Sequence, residues 1–327
     1  MKLGILGTGK IVQETLPMFM ELELEKIYLF STKRSEERAK ELVERYGLWG
    51  SFTDYEALLK TDVDTIYVAL PNHLHFEYAK RAMEAGKNVI IEKPVTSNAE
   101  EFRKLLKVSE IQDVFMMEAM NVHHLPAFLS VKENISRVGT MKIASLNYSQ
   151  YSSRYDAFKA GEILPAFDPA KSGGALMDLN VYNIHTVIGL FGKPKKVHYQ
   201  ANVEKGIDTS GILTMEYEGF QAVCIGAKDC GAPVTITLQG NEGYIRISSP
   251  VNELREYELS DNDGNKKRVT MEKERHRMYY EFQEFLSIIE QGKKEKMKEL
   301  QRISLAAAEV MEEARRQAGI RFPADES

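Results

Sequence analysis

Up to residue 120 the chain alternates short apolar runs with amphipathic stretches. Lys2–Leu6, Ile27–Phe30, Thr65–Leu70, Asn88–Ile91 and Val114–Met117 have the length and composition of buried strands. Between them, Ser35–Tyr46, His73–Ala85 and Ala99–Ile111 repeat apolar residues at helical spacing. Ser35 stands where an N-cap is expected, with Arg38 at the place a capping box reserves for Glu. Pro17 falls about two turns into the first helix, which is therefore expected to be short or kinked. Strands alternating with helices in this way predict an α/β domain, a doubly wound parallel sheet with crossovers on both faces.

Beyond residue 120 the period changes. Thr140–Tyr151, Lys196–Val203, Ile212–Tyr217, Phe220–Ala227, Val234–Gln239 and Tyr244–Ser248 read as strands, several with strict apolar–polar alternation. Glu218-Gly219, Gly240–Gly243 and Asp261–Asn265 supply turn chemistry between runs. Helices are predicted at 174–191, 274–291 and 296–318. The pattern is an α+β domain with a largely antiparallel open sheet, and the two domains are expected at 1–120 and 121–327.

A length of 327 residues suits two domains better than one core. With 43% hydrophobic and 28% charged residues the composition is that of a soluble globular protein. A net charge of −5 gives no overall basic field for nucleic acid, and no apolar run approaches the roughly 20 residues of a membrane span. The basic clusters Lys193–Lys196, Lys266–Arg268 and Lys293–Lys296 read as solvated turns. Two cysteines, Cys224 and Cys230, without metal-ligand spacing point to a reducing, cytoplasmic setting.

Chemistry enters at the end of the first strand. Gly7-Thr8-Gly9-Lys10-Ile11-Val12 is a glycine loop opening a helix, where free N–H groups and the positive dipole end suit a dinucleotide pyrophosphate. Val12 takes the third fingerprint position, where Gly or Ala is usual. The second strand runs into Ser31-Thr32-Lys33-Arg34, with no carboxylate to hold a ribose 2′-OH. Hydroxyls and cations there favour the 2′-phosphate of NADP(H), with NAD(H) the alternative.

Pro71-Asn72-His73-Leu74-His75 follows the run Thr65–Leu70, and Glu92-Lys93-Pro94 follows Asn88–Ile91. With the glycine loop, the run Ser172–Tyr182, Glu118-Ala119-Met120 and Ser153–Asp156, the sequence resembles the glucose–fructose oxidoreductase/inositol dehydrogenase (Gfo/Idh/MocA) family, nearest the dihydrodiol dehydrogenase-like branch. The resemblance implies a Rossmann domain, an α+β domain and a site between them. It implies that Lys93 lies beside the nicotinamide and the reacting oxygen, that Tyr182 is the proton donor, and that Asp178 is nearby. It implies further that Leu70, Pro71, Asn72, His75 and Glu92 line the cofactor end. Asn121 and His123 stand where many relatives have Trp and Arg.

The residues support this reading. On a regular helix from Ala175 to Phe191, Asp178, Tyr182 and His185 at i, i+4 and i+7 share one face of an otherwise apolar cylinder. That stripe is either an internal hydrogen-bond network or a wall of the active site. A Lys at Lys93 can stabilise a developing alkoxide. Lys93, Asn121, His123, Arg154, Asp178, Tyr182 and His185 are the candidate substrate contacts. No residue cluster has metal-ligand spacing, so no metal is expected.

The leading function is an NAD(P)-dependent oxidoreductase acting on the carbonyl or alcohol of a small polyhydroxylated or dihydrodiol-type molecule. The alternative is a non-catalytic NAD(P)-sensing or partner-binding protein on the same fold. Neither nucleic acid nor membrane is an expected partner. Strands carrying Val223, Ile225, Ile236 and Leu238 predict a sheet with an apolar open face, and so a homodimer or higher homo-oligomer.

Overall fold

The computed structural model describes residues 1–271 and 275–326, and the chain divides into two compact units. The first comprises Met1–Ala119 and Met278–Arg302, the second Met120–Arg277 and Ile303–Ser327. The first unit opens with β1 (Lys2–Leu6), α1 (Lys10–Phe19), β2 (Lys26–Phe30), α2 (Glu36–Tyr46), β3 (Gly50–Phe52) and α3 (Tyr55–Leu59). It continues with β4 (Thr65–Val68), α4 (His75–Glu84), β5 (Asn88–Glu92), α5 (Ala99–Gln112) and β6 (Met116–Ala119). The six strands are all parallel, in the order β3-β2-β1-β4-β5-β6. Strand order reverses between β1 and β4, which is where open α/β sheets bind ligands at their carboxyl ends.

Local chemistry explains most boundaries. Pro17 lies inside α1, which ends two residues later at Phe19, so the helix is short as expected. Asn98 caps α5 by accepting from the Glu101 N–H at 2.8 Å. Ser35 does not cap: Lys33–Ser35 form a 3₁₀ turn that runs straight into α2, and the Ser35 hydroxyl makes no cap hydrogen bond. Strand β3 and helix α3 have too few residues to show a period, and were not anticipated.

The second unit holds α6 (Pro126–Asn134), β7 (Met141–Ser149), α7 (Tyr155–Lys159) and α8 (Val181–Phe191). Then come β8 (Lys196–Glu204), β9 (Ile207–Glu216), β10 (Gln221–Ala227), β11 (Thr235–Gly240), β12 (Gly243–Ile247), β13 (Glu256–Asp261) and β14 (Lys266–Thr270). They form one eight-stranded sheet, β14-β13-β12-β11-β7-β10-β9-β8, antiparallel except where β7 runs parallel to β10. Strand β14 escaped the sequence reading because charged residues dominate it, and β13 because only Tyr257 and Leu259 mark its buried face. Lys266–Arg268 therefore lies in a strand and not in a turn, with Lys266 on Glu258 and Arg268 on Glu256 across the ladder.

Ile236 and Leu238 are buried on one face of this sheet, whereas Val223 and Ile225 are half-buried on the other. Beside Val223 and Ile225 stand Ile143 and Ile212, 47% and 46% exposed, interleaved with Ser145, Asn147 and Thr214. The face is thus apolar in patches.

The last helices are α9 (Tyr279–Glu290) and α10 (Lys294–Gln317). Residues 278–302 were expected in the second domain but pack in the first unit. Phe282, Phe285, Ile288, Met297 and Leu300 join the core built by Leu3, Leu16, Phe19 and Tyr67, with the Phe282 ring edge-on to Phe19 at 4.7 Å. Burying that aromatic stripe outweighs chain proximity to the second sheet.

Candidate active site

The carboxyl edge of the parallel sheet gathers the cofactor candidates. Gly7 has φ of +118°, and a Cβ there would lie 2.6 Å from the Ala69 carbonyl oxygen. Only glycine satisfies both constraints. Its N–H donates to the Phe30 carbonyl at 2.9 Å, tying the glycine loop to the end of β2. Gly9 forms the N-terminal boundary of α1, whose first residues are Lys10 and Ile11, so the orphan N–H groups of the first turn face the open end of the loop. Thr8 is buried between the two glycines, and Val12 is absorbed into the core.

At the end of β2, Ser31 is buried and its hydroxyl has no hydrogen-bond partner among the described residues. Thr32, Lys33 and Arg34 are exposed immediately after it. A buried unpaired hydroxyl costs about 1–3 kcal/mol, and an incoming phosphate oxygen would relieve it. The glycine loop and this segment therefore fit a phosphorylated dinucleotide.

Pro71 and Asn72 follow β4 and lead into α4. His75 is fully buried, its Nδ1 3.0 Å from the Pro94 carbonyl oxygen and its Nε2 2.8 Å from that of Leu70. It braces the loop after β4 against the loop after β5. Burial pushes its pKa down to about 4, against the two carbonyls that raise it. A neutral ring has one N–H, so it donates to one of these carbonyls at a time. Glu92, at the end of β5, accepts from the Tyr67 hydroxyl and from the Lys93 N–H. Glu118, on β6, accepts from the Val95 N–H at 3.0 Å. These carboxylates fix the main chain at half-buried Lys93 and two residues beyond it, at Val95.

In the second unit, the expected regular helix from Ala175 begins as a π-helical turn, Leu176–Asn180, and becomes α8 only at Val181. The π turn is wider than the α-helical spacing on which the common face of Asp178, Tyr182 and His185 was reasoned. Burial divides them: the Asp178 side chain is 39% exposed, whereas Tyr182 and His185 are buried. His185 Nδ1 lies 3.1 Å from His123 Nε2, and burial holds His185 well below its ordinary pKa, with the charge of His123 adding to the effect. Asn121 is buried, giving its amide to the Asn252 and Arg277 carbonyls at 2.7 and 3.3 Å. Arg154 is exposed at the start of α7, next to Tyr155, whose hydroxyl donates to Glu204 at 2.6 Å. Asn180 and Asn183 anchor their helix to the Cys224 and Ile225 carbonyls of β10.

Two residues at this end were missed. Asp208, on β9, accepts from the Leu176 N–H at 2.6 Å and so caps the π turn from the sheet. Lys228, just past β10, donates to Asp178 at 2.6 Å. Lys228 follows an apolar strand as Lys93 does, but no Glu-Lys-Pro motif marks it.

A model of the oxidoreductase family with an NAD-binding Rossmann fold matches residues 1–120, and a model of the GFO/IDH/MocA C-terminal domain matches residues 135–246. The scyllo-inositol 2-dehydrogenase (NADP(+)) of Bacillus subtilis is 35% identical over 333 residues, covering 100% of this chain and 99% of that protein. The chain belongs to the Gfo/Idh/MocA oxidoreductase family. The trans-1,2-dihydrobenzene-1,2-diol dehydrogenase of Danio rerio is 26% identical to this family member, over 98% of each protein. A 3-ketoreductase from Actinomadura kijaniata shares its fold, with a TM-score of 0.85 at 22% identity over 98% of each chain. This Gfo/Idh/MocA protein is an NAD(P)-dependent oxidoreductase, and the non-catalytic alternative gives way. Among the described residues no cluster could hold a metal ion, and no helix is long and apolar enough to cross a membrane.

The buried histidines set a pH dependence of stability. Folded His75 titrates near 4 and an unfolded histidine near 6.5, so below 6.5 the unfolded chain takes up a proton that the fold refuses. Stability should be complete above pH 6.5 and fall between 6.5 and 4, by up to about 3 kcal/mol for this residue. His185 acts in the same direction. Urea unfolding followed at pH 7 and pH 5 measures the loss. His75→Asn should be less stable at pH 7 yet lose less on acidification, and equal losses in both proteins would refute the assignment.

Proposed function

We propose that this protein is an NADP(H)-dependent oxidoreductase that interconverts a secondary alcohol and a ketone on a small polyhydroxylated or dihydrodiol-type molecule. The observation that carries the reading is Lys93, half-buried at the carboxyl end of β5 with its main chain pinned through Glu92 and Tyr67. The relatives named for inositol and dihydrodiol oxidation support the substrate class. Support for NADP(H) comes from the unpartnered Ser31 hydroxyl and from Thr32, Lys33 and Arg34 beside it.

Gly7, Thr8, Gly9, Lys10 and Ile11 would hold the pyrophosphate, and Ser31–Arg34 the 2′-phosphate. Leu70, Pro71, Asn72 and Glu92 line the nicotinamide end, and His75 keeps the two loops there in register. A nicotinamide held there would supply the hydride donor or acceptor. The Lys93 ammonium donates a hydrogen bond to the substrate oxygen and stabilises the charge that develops on it. The Tyr182 hydroxyl gives that oxygen its proton in reduction and removes it in oxidation. Asp178 accepts a hydrogen bond from a neighbouring substrate hydroxyl, and Arg154 contacts the far end. Asn121, His123 and His185 act behind them by holding the chain.

The protein works in the cytoplasm as a homodimer or higher homo-oligomer, burying the sheet face that carries Ile143, Ile212, Val223 and Ile225. Light scattering at micromolar concentration should give at least twice the mass of one chain, and a monomer would exclude the assembly.

Cofactor choice is tested by binding. NADPH should bind more tightly than NADH, and Arg34→Ala should weaken NADPH by about one to two decades while leaving NADH unchanged. Equal dissociation constants in the wild type would overturn the assignment.

Catalysis is tested on scyllo-inositol and trans-1,2-dihydrobenzene-1,2-diol with NADP⁺. Lys93→Met should lower turnover of the best substrate about 10²–10³-fold and Tyr182→Phe about 10²–10⁴-fold. Both variants should bind NADPH as the wild type does. Wild-type turnover in either variant refutes its catalytic role.

A further inference from the structure

Lys228 is among the most deeply buried charges of the second unit, with 3% of its side chain exposed. A buried ammonium persists only with a counter-charge and filled donor positions. Its Nζ donates to Asp178 Oδ2 at 2.6 Å and to the Ala166 carbonyl at 3.1 Å, and it lies 4.7 Å from the Phe167 ring centroid. The pair is asymmetric. Lys228 is sealed inside, while the Asp178 side chain is 39% exposed.

Both partners stand on fixed main chain. The Lys228 N–H donates to the Thr209 carbonyl at 2.8 Å, and the next residue, Asp229, accepts from the Thr209 and Ser210 hydroxyls. The π turn that carries Asp178 is held by Asp208 at Leu176 and by the Asn180 amide on the Cys224 carbonyl. Gly226 permits this approach, since a Cβ there would lie 2.7 Å from that of Asn180. A buried ion pair contributes little net stability compared with apolar residues of the same volume. What Lys228 does supply is a direction for the carboxylate.

We propose that Lys228 is a positioning residue for substrate recognition: it holds the inner oxygen of the Asp178 carboxylate, so that the exposed side of this anion takes a hydroxyl next to the reacting carbon. The inference rests on the reading of Asp178 as a substrate contact. An ionised carboxylate only accepts hydrogen bonds, so it recognises a hydroxyl donor and gains nothing from a simple ketone or mono-alcohol. A site built to bond a hydroxyl discriminates strongly against the analogue that lacks it. The substrate class that follows is the vicinal diol or polyol.

The test uses the full-length enzyme as wild type, Lys228→Met, Asp178→Asn and the double variant. The ketone formed from scyllo-inositol is titrated into each protein saturated with NADP⁺, where no hydride can move. KM and kcat for scyllo-inositol are measured in parallel for the wild type and Lys228→Met. Lys228→Met should raise the dissociation constant and KM about tenfold or more, as loss of an oriented charged hydrogen bond does, with kcat within about threefold of wild type. In the Asp178→Asn background the same change should cost less than about twofold, because the lysine acts through the carboxylate. Losses that multiply independently, a fall in kcat matching the rise in KM, or unchanged binding in Lys228→Met would each overturn the inference. A wild type that neither oxidises scyllo-inositol nor binds its ketone removes the substrate reading itself, and the role of Lys228 with it.

Discussion

The parallel pairing of β1 with both β2 and β4 is the constraint on which the nucleotide-binding unit depends. Parallel strands must be joined by crossovers, and a reversal of strand order at β1 sends successive helices to opposite faces. The two helical layers then cover the faces of the sheet and not the carboxyl ends of its strands. Every cofactor candidate in this unit lies at that edge: the glycine loop after β1, Ser31–Arg34 after β2, Leu70–His75 after β4 and Glu92-Lys93 after β5. Their proximity follows from strand order, although they are scattered along the sequence.

Polar groups buried near that edge then hold the loops. His75 spans the Leu70 and Pro94 carbonyls, and Glu92 and Glu118 accept the main-chain N–H groups of Lys93 and Val95. The second unit uses the same device on a helix. Asp208, Asn180, Asn183 and Lys228 tie the π turn and α8 to the sheet through hydrogen bonds and one ion pair. Such groups must be satisfied to be tolerated in the interior, so each specifies a single arrangement of the backbone it touches.

The sequence was most legible where one period ran long enough to be seen. β1, β2, β4, β5 and α5 declare themselves by apolar runs and helical spacing, and the glycine loop by its position after β1. Four features were hidden. Strand β14 carries charged residues that pair with those of β13 across the ladder, and β13 has only Tyr257 and Leu259 on its apolar face, too short a run to declare a strand. Helix α9 lies far along the chain, yet its Phe282 and Phe285 complete the first core, a choice made by packing and not by local pattern. The π turn at Leu176–Asn180 breaks the α-helical spacing on which the shared face of Asp178, Tyr182 and His185 was reasoned. Lys228 escaped because its partner is 50 residues away, a pairing that only the third dimension makes.

The central claim is that the carboxyl edge of the six-stranded sheet holds an NADP(H) molecule with its phosphates on the glycine loop and the Ser31–Arg34 segment. Amide hydrogen exchange in the presence and absence of NADPH tests this residue by residue. The account predicts slowed exchange at the amides of residues 8–12 and 31–35, where backbone N–H groups and the Ser31 hydroxyl meet phosphate oxygens. It predicts no comparable change along β11–β14. Tight NADPH binding that leaves exchange at both segments unaltered would contradict it.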